Sequence, residues 1–111
     1  EAHNIRWRDG RPWAVHDWDS AVAEPETVIA GQAAAVWPAS AGCAGATVAQ
    51  TEAFLDAYQR ARGAAFTAAQ LGEAWAAGLW VRSFNAKKYL LDGLDTLGAD
   101  EAAERLRRAG A

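Results

Sequence analysis

At 111 residues the chain is long enough for one domain with one core. Its 51% apolar content excludes a disordered tail. A net charge of −3, with arginines and carboxylates interspersed, argues against a general nucleic-acid binder, which needs a basic face. The sequence as given has no apolar run of about 18 residues and no signal-peptide pattern, so no membrane partner is expected. The single Cys43 cannot form an internal disulfide and reads as an inert thiol of a reducing, cytoplasmic environment.

The first element expected is a β-hairpin over residues 1–19. Asp9-Gly10 lies between the stretches IRW and WAV, the strongest short signal for a type I′ turn. A turn centred there sets Arg8 against Arg11, Trp7 against Pro12, Ile5 against Ala14 and Asn4 against Val15. Pro12 then falls at a non-hydrogen-bonded pair, where its missing N–H costs nothing. Asn4 and Asp17 become diagonal neighbours on one face, their Cα atoms about 7–8 Å apart. An amide oxygen and a carboxylate so placed can reach one small hard cation. Mg²⁺ suits them, because it takes oxygen ligands and usually keeps phosphate and water as the others.

A helical bundle is expected over residues 25–109. Pro25 suits the first turn of a helix running to Val36, with Glu24 and Glu26 favourable at its positive end. Val28, Ile29, Ala33 and Val36 fall on one side of it at helical spacing. Residues 38–46 read as a loop. Thr47-Val-Ala-Gln50 and Thr67-Ala-Ala-Gln70 are capping-box patterns opening two further helices. Val48, Thr51, Leu55 and Tyr58, with Phe54 beside them, face inward on the first, which Gly63 ends as a left-handed cap. On the second, Leu71, Ala74, Trp75, Gly78, Leu79, Arg82 and Ala86 form one stripe. Trp80, Phe84 and Leu91 give it apolar bulk on another side, the pattern of a central bundle helix ending at Asp92-Gly93. Gly72 and Gly78 allow close helix approach. The last helix, Ala99 to Ala109, carries acids early and arginines late, matching the macrodipole, and is polar enough to fray.

The string HNIRWRDGRPWAVHDWDS resembles the catalytic segment of the aminoglycoside phosphotransferase / choline kinase-like family. Weaker likeness continues through PETVIAGQAAAVWP, FLDAYQRARG and LGEAWAAGLWVRSFNAKKYLLDG. The family's loop reads His-x-Asp-x-x-x-x-Asn, then a hairpin, then an Asp followed by Trp or Phe. The resemblance implies the C-terminal helical part of a protein-kinase-like fold. It implies transfer of the ATP γ-phosphoryl group to a small-molecule hydroxyl acceptor, with Asn4 and Asp17 as Mg²⁺ ligands. The loop's catalytic Asp would stand five residues before Asn4, ahead of Glu1. The Gly-rich phosphate loop, its Lys and the Glu that pairs with it are also outside this sequence. Together with the lack of any Met, this reads as a fragment that is inactive alone and packs against a missing N-terminal lobe or a partner chain.

Other residues invite competing readings. His3 and His16 would face each other across the hairpin, but with no Cys beside them the spacing is not specific for a transition metal. Asp19 reads equally as an outer contact to the metal site and as a cap on the following connector. Of the six tryptophans, Trp7, Trp13 and Trp18 gather at the hairpin, and Trp75 and Trp80 lie on the long helix. Core packing is the commoner fate of such tryptophans, against an aromatic pocket for a cationic amine. Glu24, Glu26, Glu52, Asp56 and Asp92 could line that pocket or simply be a solvated surface. The alternative to an enzyme part is a non-catalytic helical binding module derived from the same fold.

Overall fold

The computed structural model describes residues 4–37, 45–92 and 96–111; His3, Cys43 and Gly93 lie outside them. Two strands, β1 (Ile5–Arg8) and β2 (Arg11–Val15), form an antiparallel hairpin, and a 3₁₀ turn comes after it at Trp18–Ser20. Four helices come next: α1 (Glu26–Val36), α2 (Val48–Arg62), α3 (Ala68–Leu90) and α4 (Ala99–Ala109). The described chain is mainly helical with a two-stranded hairpin, as the sequence indicated.

Both capping boxes form. Thr47 Oγ1 accepts from Gln50 N and Gln50 Oε1 accepts from Thr47 N; Thr67 and Gln70 repeat the arrangement. Gly63 closes α2 with φ 75°. Pro25 stands one position earlier than expected, at the N-cap of α1, with extended backbone angles of φ −53° and ψ 142°. Its carbonyl still accepts the first helical bond, from Ile29 N.

The chief helix contacts are α1 on α3, α4 on α3, and α1 on α2. The core joins Ala30, Ala34, Leu55, Phe66, Ala74 and Trp75, with Val48, Phe54, Tyr58 and Leu71 packed against it. The inward faces expected for α2 and α3 are largely the ones buried. Gly78 sits close to α1, where an added Cβ would lie 3.0 Å from Gly31 O, and Gly72 close to α4, 3.1 Å from Ala109 O.

Three expectations are corrected. Helix α1 buries Thr27, Ala30, Gly31, Ala34 and Ala35, whereas Ile29 is exposed. The reason is the seam with α3: a Cβ on Gly31 would collide with the backbone of Ala74, so only the small-residue side of α1 can meet α3. Second, the extra apolar side of α3 faces solvent. Trp80 and Phe84 are 63% and 59% exposed and stack on each other with centroids 5.8 Å apart. Third, α4 is firmly anchored. Arg105 is completely buried, its Nε donating to Glu101 (2.8 Å), its NH2 to Ala46 O (2.6 Å) and its NH1 to Thr51 Oγ1 (3.2 Å). Buried Arg82 shares Glu101 at 3.3 Å and donates to Thr96 O. Burial pulls the Arg105 pKa down and Glu101 holds it up. Gly110, at φ 89°, caps the end of this helix.

Candidate metal centre

The hairpin turns where its sequence requires. Asp9 and Gly10 have φ of 50° and 71°, the positive values a type I′ turn needs. Arg8 pairs with Arg11 and Trp7 with Pro12, as expected. Beyond that point the register slips by one: Arg6 pairs with Ala14 and Ile5 with Val15. Trp13 is the extra residue of a β-bulge, a device that bends the strand and re-aims the side chains beyond it. The expected pairings Ile5–Ala14 and Asn4–Val15 are therefore replaced, and His16 N donates to Asn4 O at 3.0 Å.

Asn4 and Asp17 nevertheless meet, by a different route from a plain diagonal pair. Asp17 adopts the left-handed conformation, φ 71° and ψ 48°, which turns the chain at the strand end. Asp and Asn tolerate this region better than other side chains, and such residues cluster at functional sites. The Trp18 indole N–H donates to Val15 O at 2.9 Å and closes a short loop around Asp17. Asn4 Nδ2 then donates to Asp17 Oδ2 at 3.0 Å. Asn4 Oδ1 is shielded from solvent and accepts no hydrogen bond among the described residues. The amide thus presents its nitrogen, not its oxygen, to the carboxylate.

The neighbours contribute less. Asp19 is exposed on the 3₁₀ turn, and the N-cap position there belongs to Asp17, which makes no side-chain cap bond. His16 is exposed and its backbone N–H bonds to Asn4 O, while its expected partner His3 lies outside the described residues. Among the described residues no group of three or more His, Cys, Asp or Glu side chains could hold a metal. Asn4 and Asp17 are two oxygen-bearing side chains, a set that suits only a cation bringing other ligands with it.

The expected acidic lining is dispersed. Glu26 accepts from Tyr58 (2.8 Å) and Arg62 (2.9 Å), and Glu52 pairs with Arg108 at 2.7 Å. A different groove, of about 420 Å³, runs between α1 and α3 and is lined by Glu24, Val28, Gln32, Glu73, Ala76, Ala77 and Trp80. Glu73 also accepts from Thr27 Oγ1 across the seam. Glu73 and Trp80 were legible as one face of α3, seven residues apart, but their meeting with α1 was not. No family model matches the chain, and no curated protein and no solved structure matches it, so its chemistry rests on this geometry and on the residues that form it.

Proposed function

We propose that the chain is the metal-binding hairpin and acceptor-side helical part of a small-molecule kinase of the aminoglycoside phosphotransferase-like type. The observation that carries this reading is the Asn4–Asp17 contact at the hairpin's open end. It joins an amide and a carboxylate thirteen residues apart in the sequence, at the two positions where the resemblance expects Mg²⁺ ligands. The donor chemistry suits that ion once the Asn4 amide turns over, bringing its shielded, unbonded oxygen beside the Asp17 carboxylate where the nitrogen now sits. Bound there with ATP, Mg²⁺ would neutralise charge developing on the β- and γ-phosphates. Asn4 and Asp17 would hold it, Trp18 would fix the turn that aims Asp17, and the groove beside Glu73 and Trp80 would receive the hydroxyl acceptor. The proton of that hydroxyl would pass to the family's loop Asp, whose position precedes Glu1.

Two measurements test this. Upstream sequence reading His-x-Asp, with the Asp five residues before Asn4, and preceded by a nucleotide-binding lobe supports it; a start codon just before Glu1 overturns it. Titration of the chain with Mn²⁺ as a paramagnetic stand-in should broaden the NMR signals of Asn4 and Asp17 first, and Asp17→Asn should abolish the effect. Broadening elsewhere, or unchanged in the variant, removes the metal assignment. The exposed Trp80–Phe84 pair would then favour the non-catalytic binding module.

A further inference from the structure

The opposite end of the hairpin carries a second set of residues that folding alone does not explain. Arg62, Arg82, Arg105, Arg107 and Arg108 each pair with a glutamate. Arg6, Arg8 and Arg11, like Arg60 on α2 and Lys87 and Lys88 on α3, pair with no carboxylate among the described residues, but they alone are gathered on one ribbon, whose residues 6–14 are exposed throughout. The register sets Arg8 directly against Arg11. Like charges so opposed destabilise a two-stranded ladder. Alternation along β1 puts Arg6 on the side of Arg8, about 7 Å away. Trp13, two residues beyond Arg11, is on the same side: the Arg8 guanidinium lies 4.2 Å from its ring centroid, and Trp13 remains 61% exposed. Asp9 is the one acid between Ile5 and Val15.

We propose that this face binds single-stranded nucleic acid, the three guanidiniums taking successive phosphates and Trp13 stacking a base. Charge complementarity selects a polyanion, and the exposed ring selects one that carries flat bases. An acidic peptide would leave Trp13 unused. Trp7, 54% exposed, lies on the opposite face by alternation, but a hairpin built for a membrane surface would keep its cationic face free of rings, and Trp13 shares it. Arg8 and the turn lie about 13 Å along β1 from Asn4, beyond a Debye length of about 10 Å at 0.1 M salt, whereas Arg6, about 7 Å away, lies within it. The Arg8–Arg11–Trp13 tip is thus separable from the metal pair, and screening keeps the chain's net charge of −3 from cancelling its local field.

Fluorescence anisotropy of a labelled oligouridylate with the whole chain, over a salt series, tests the proposal. Three phosphate contacts predict a log K against log salt slope of about −2. Arg8→Gln with Arg11→Gln should flatten it to about −0.7 and weaken binding roughly tenfold or more at low salt. Removing the opposed charges relieves repulsion, so the hairpin survives, which far-UV circular dichroism checks. Trp13→Ala should weaken binding about tenfold with the slope unchanged, because it removes stacking and no charge. No binding at low salt, a slope indifferent to the double substitution, or equally tight binding to polyglutamate or to phosphatidylserine vesicles would overturn it.

Discussion

Asp17 serves two purposes, and its substitutions separate them. Its backbone needs the left-handed region, which Asn also tolerates, and its side chain accepts from Asn4. Asp17→Asn should therefore fold normally, yet in a protein holding both lobes of the proposed kinase it should reduce turnover to background. Equal loss of folding would assign Asp17 a structural role instead. Asn4→Ala should lower turnover less completely, with partial recovery at raised Mg²⁺, since one ligand remains. Arg105 is the corresponding residue for stability. Arg105→Ala empties a fully buried site, leaves Ala46 O without its donor and leaves Glu101 only the longer bond from Arg82. Urea unfolding should show a loss of about 3–5 kcal/mol, the range for breaking a buried pair from one side.

Among the elements, the α1–α3 seam is the most constrained. Gly31→Ala should cost about 3 kcal/mol or more, because the new methyl meets the backbone of Ala74 rather than a side chain that can move. Gly63→Ala meets open space and should cost only about 1–2 kcal/mol, from its left-handed backbone. Phe84 would have cost about 3–5 kcal/mol on truncation if it lay in the bundle. At 59% exposure, Phe84→Ala should instead stay within about 1 kcal/mol of the parent. Helix α4 adds a pH dependence. Hydrogen bonds from Arg107, then Arg108, hold the Glu104 carboxyl below its ordinary value of 4.5. A lowered folded-state pKa gives stability that is present above 4.5 and lost as pH falls through the folded value. Glu104→Gln should lower the neutral region of a stability–pH curve slightly and so flatten its acid limb, leaving the acid end unmoved.

For the whole molecule, the hairpin and the bundle differ in how they are held. The bundle is closed by a small-residue seam, a core around Leu55 and Trp75, and the Arg82–Glu101–Arg105 cluster. In the hairpin the principal contacts are those between its own strands, and a lone two-stranded ribbon is marginal in water. Amide exchange should find Ile5–Val15 close to unprotected while the middle of α3 exchanges most slowly. Equal protection would mean that the hairpin is locked to the helices. No described helix is long and apolar enough to cross a membrane. Trp80 and Phe84 on α3, and Trp7, Trp13 and Trp18 at the hairpin, leave their rings in solvent.

Local chemistry was readable without the fold. The turn at Asp9-Gly10, both Thr-x-x-Gln caps, the Gly63 cap and the inward faces of α2 and α3 depend on residues within a few positions of one another. The meeting of Asn4 and Asp17 was expected from the register set by the turn, but that register is not what produced it. A bulge at Trp13 shifted the register, and a left-handed Asp17 restored the contact with the amide nitrogen forward. Tertiary packing decided what hydrophobicity could not. Helix α1 turned its glycine and alanines inward because close approach to α3 favours small residues over large ones. For the same reason Ile29 and Trp80 stayed in solvent while Arg105, the least expected core residue, was buried. Periodicity reports which side chains share a face. Only the shape of the facing helix, and the carbonyl, hydroxyl and carboxylate waiting at Ala46, Thr51 and Glu101, determined which faces closed.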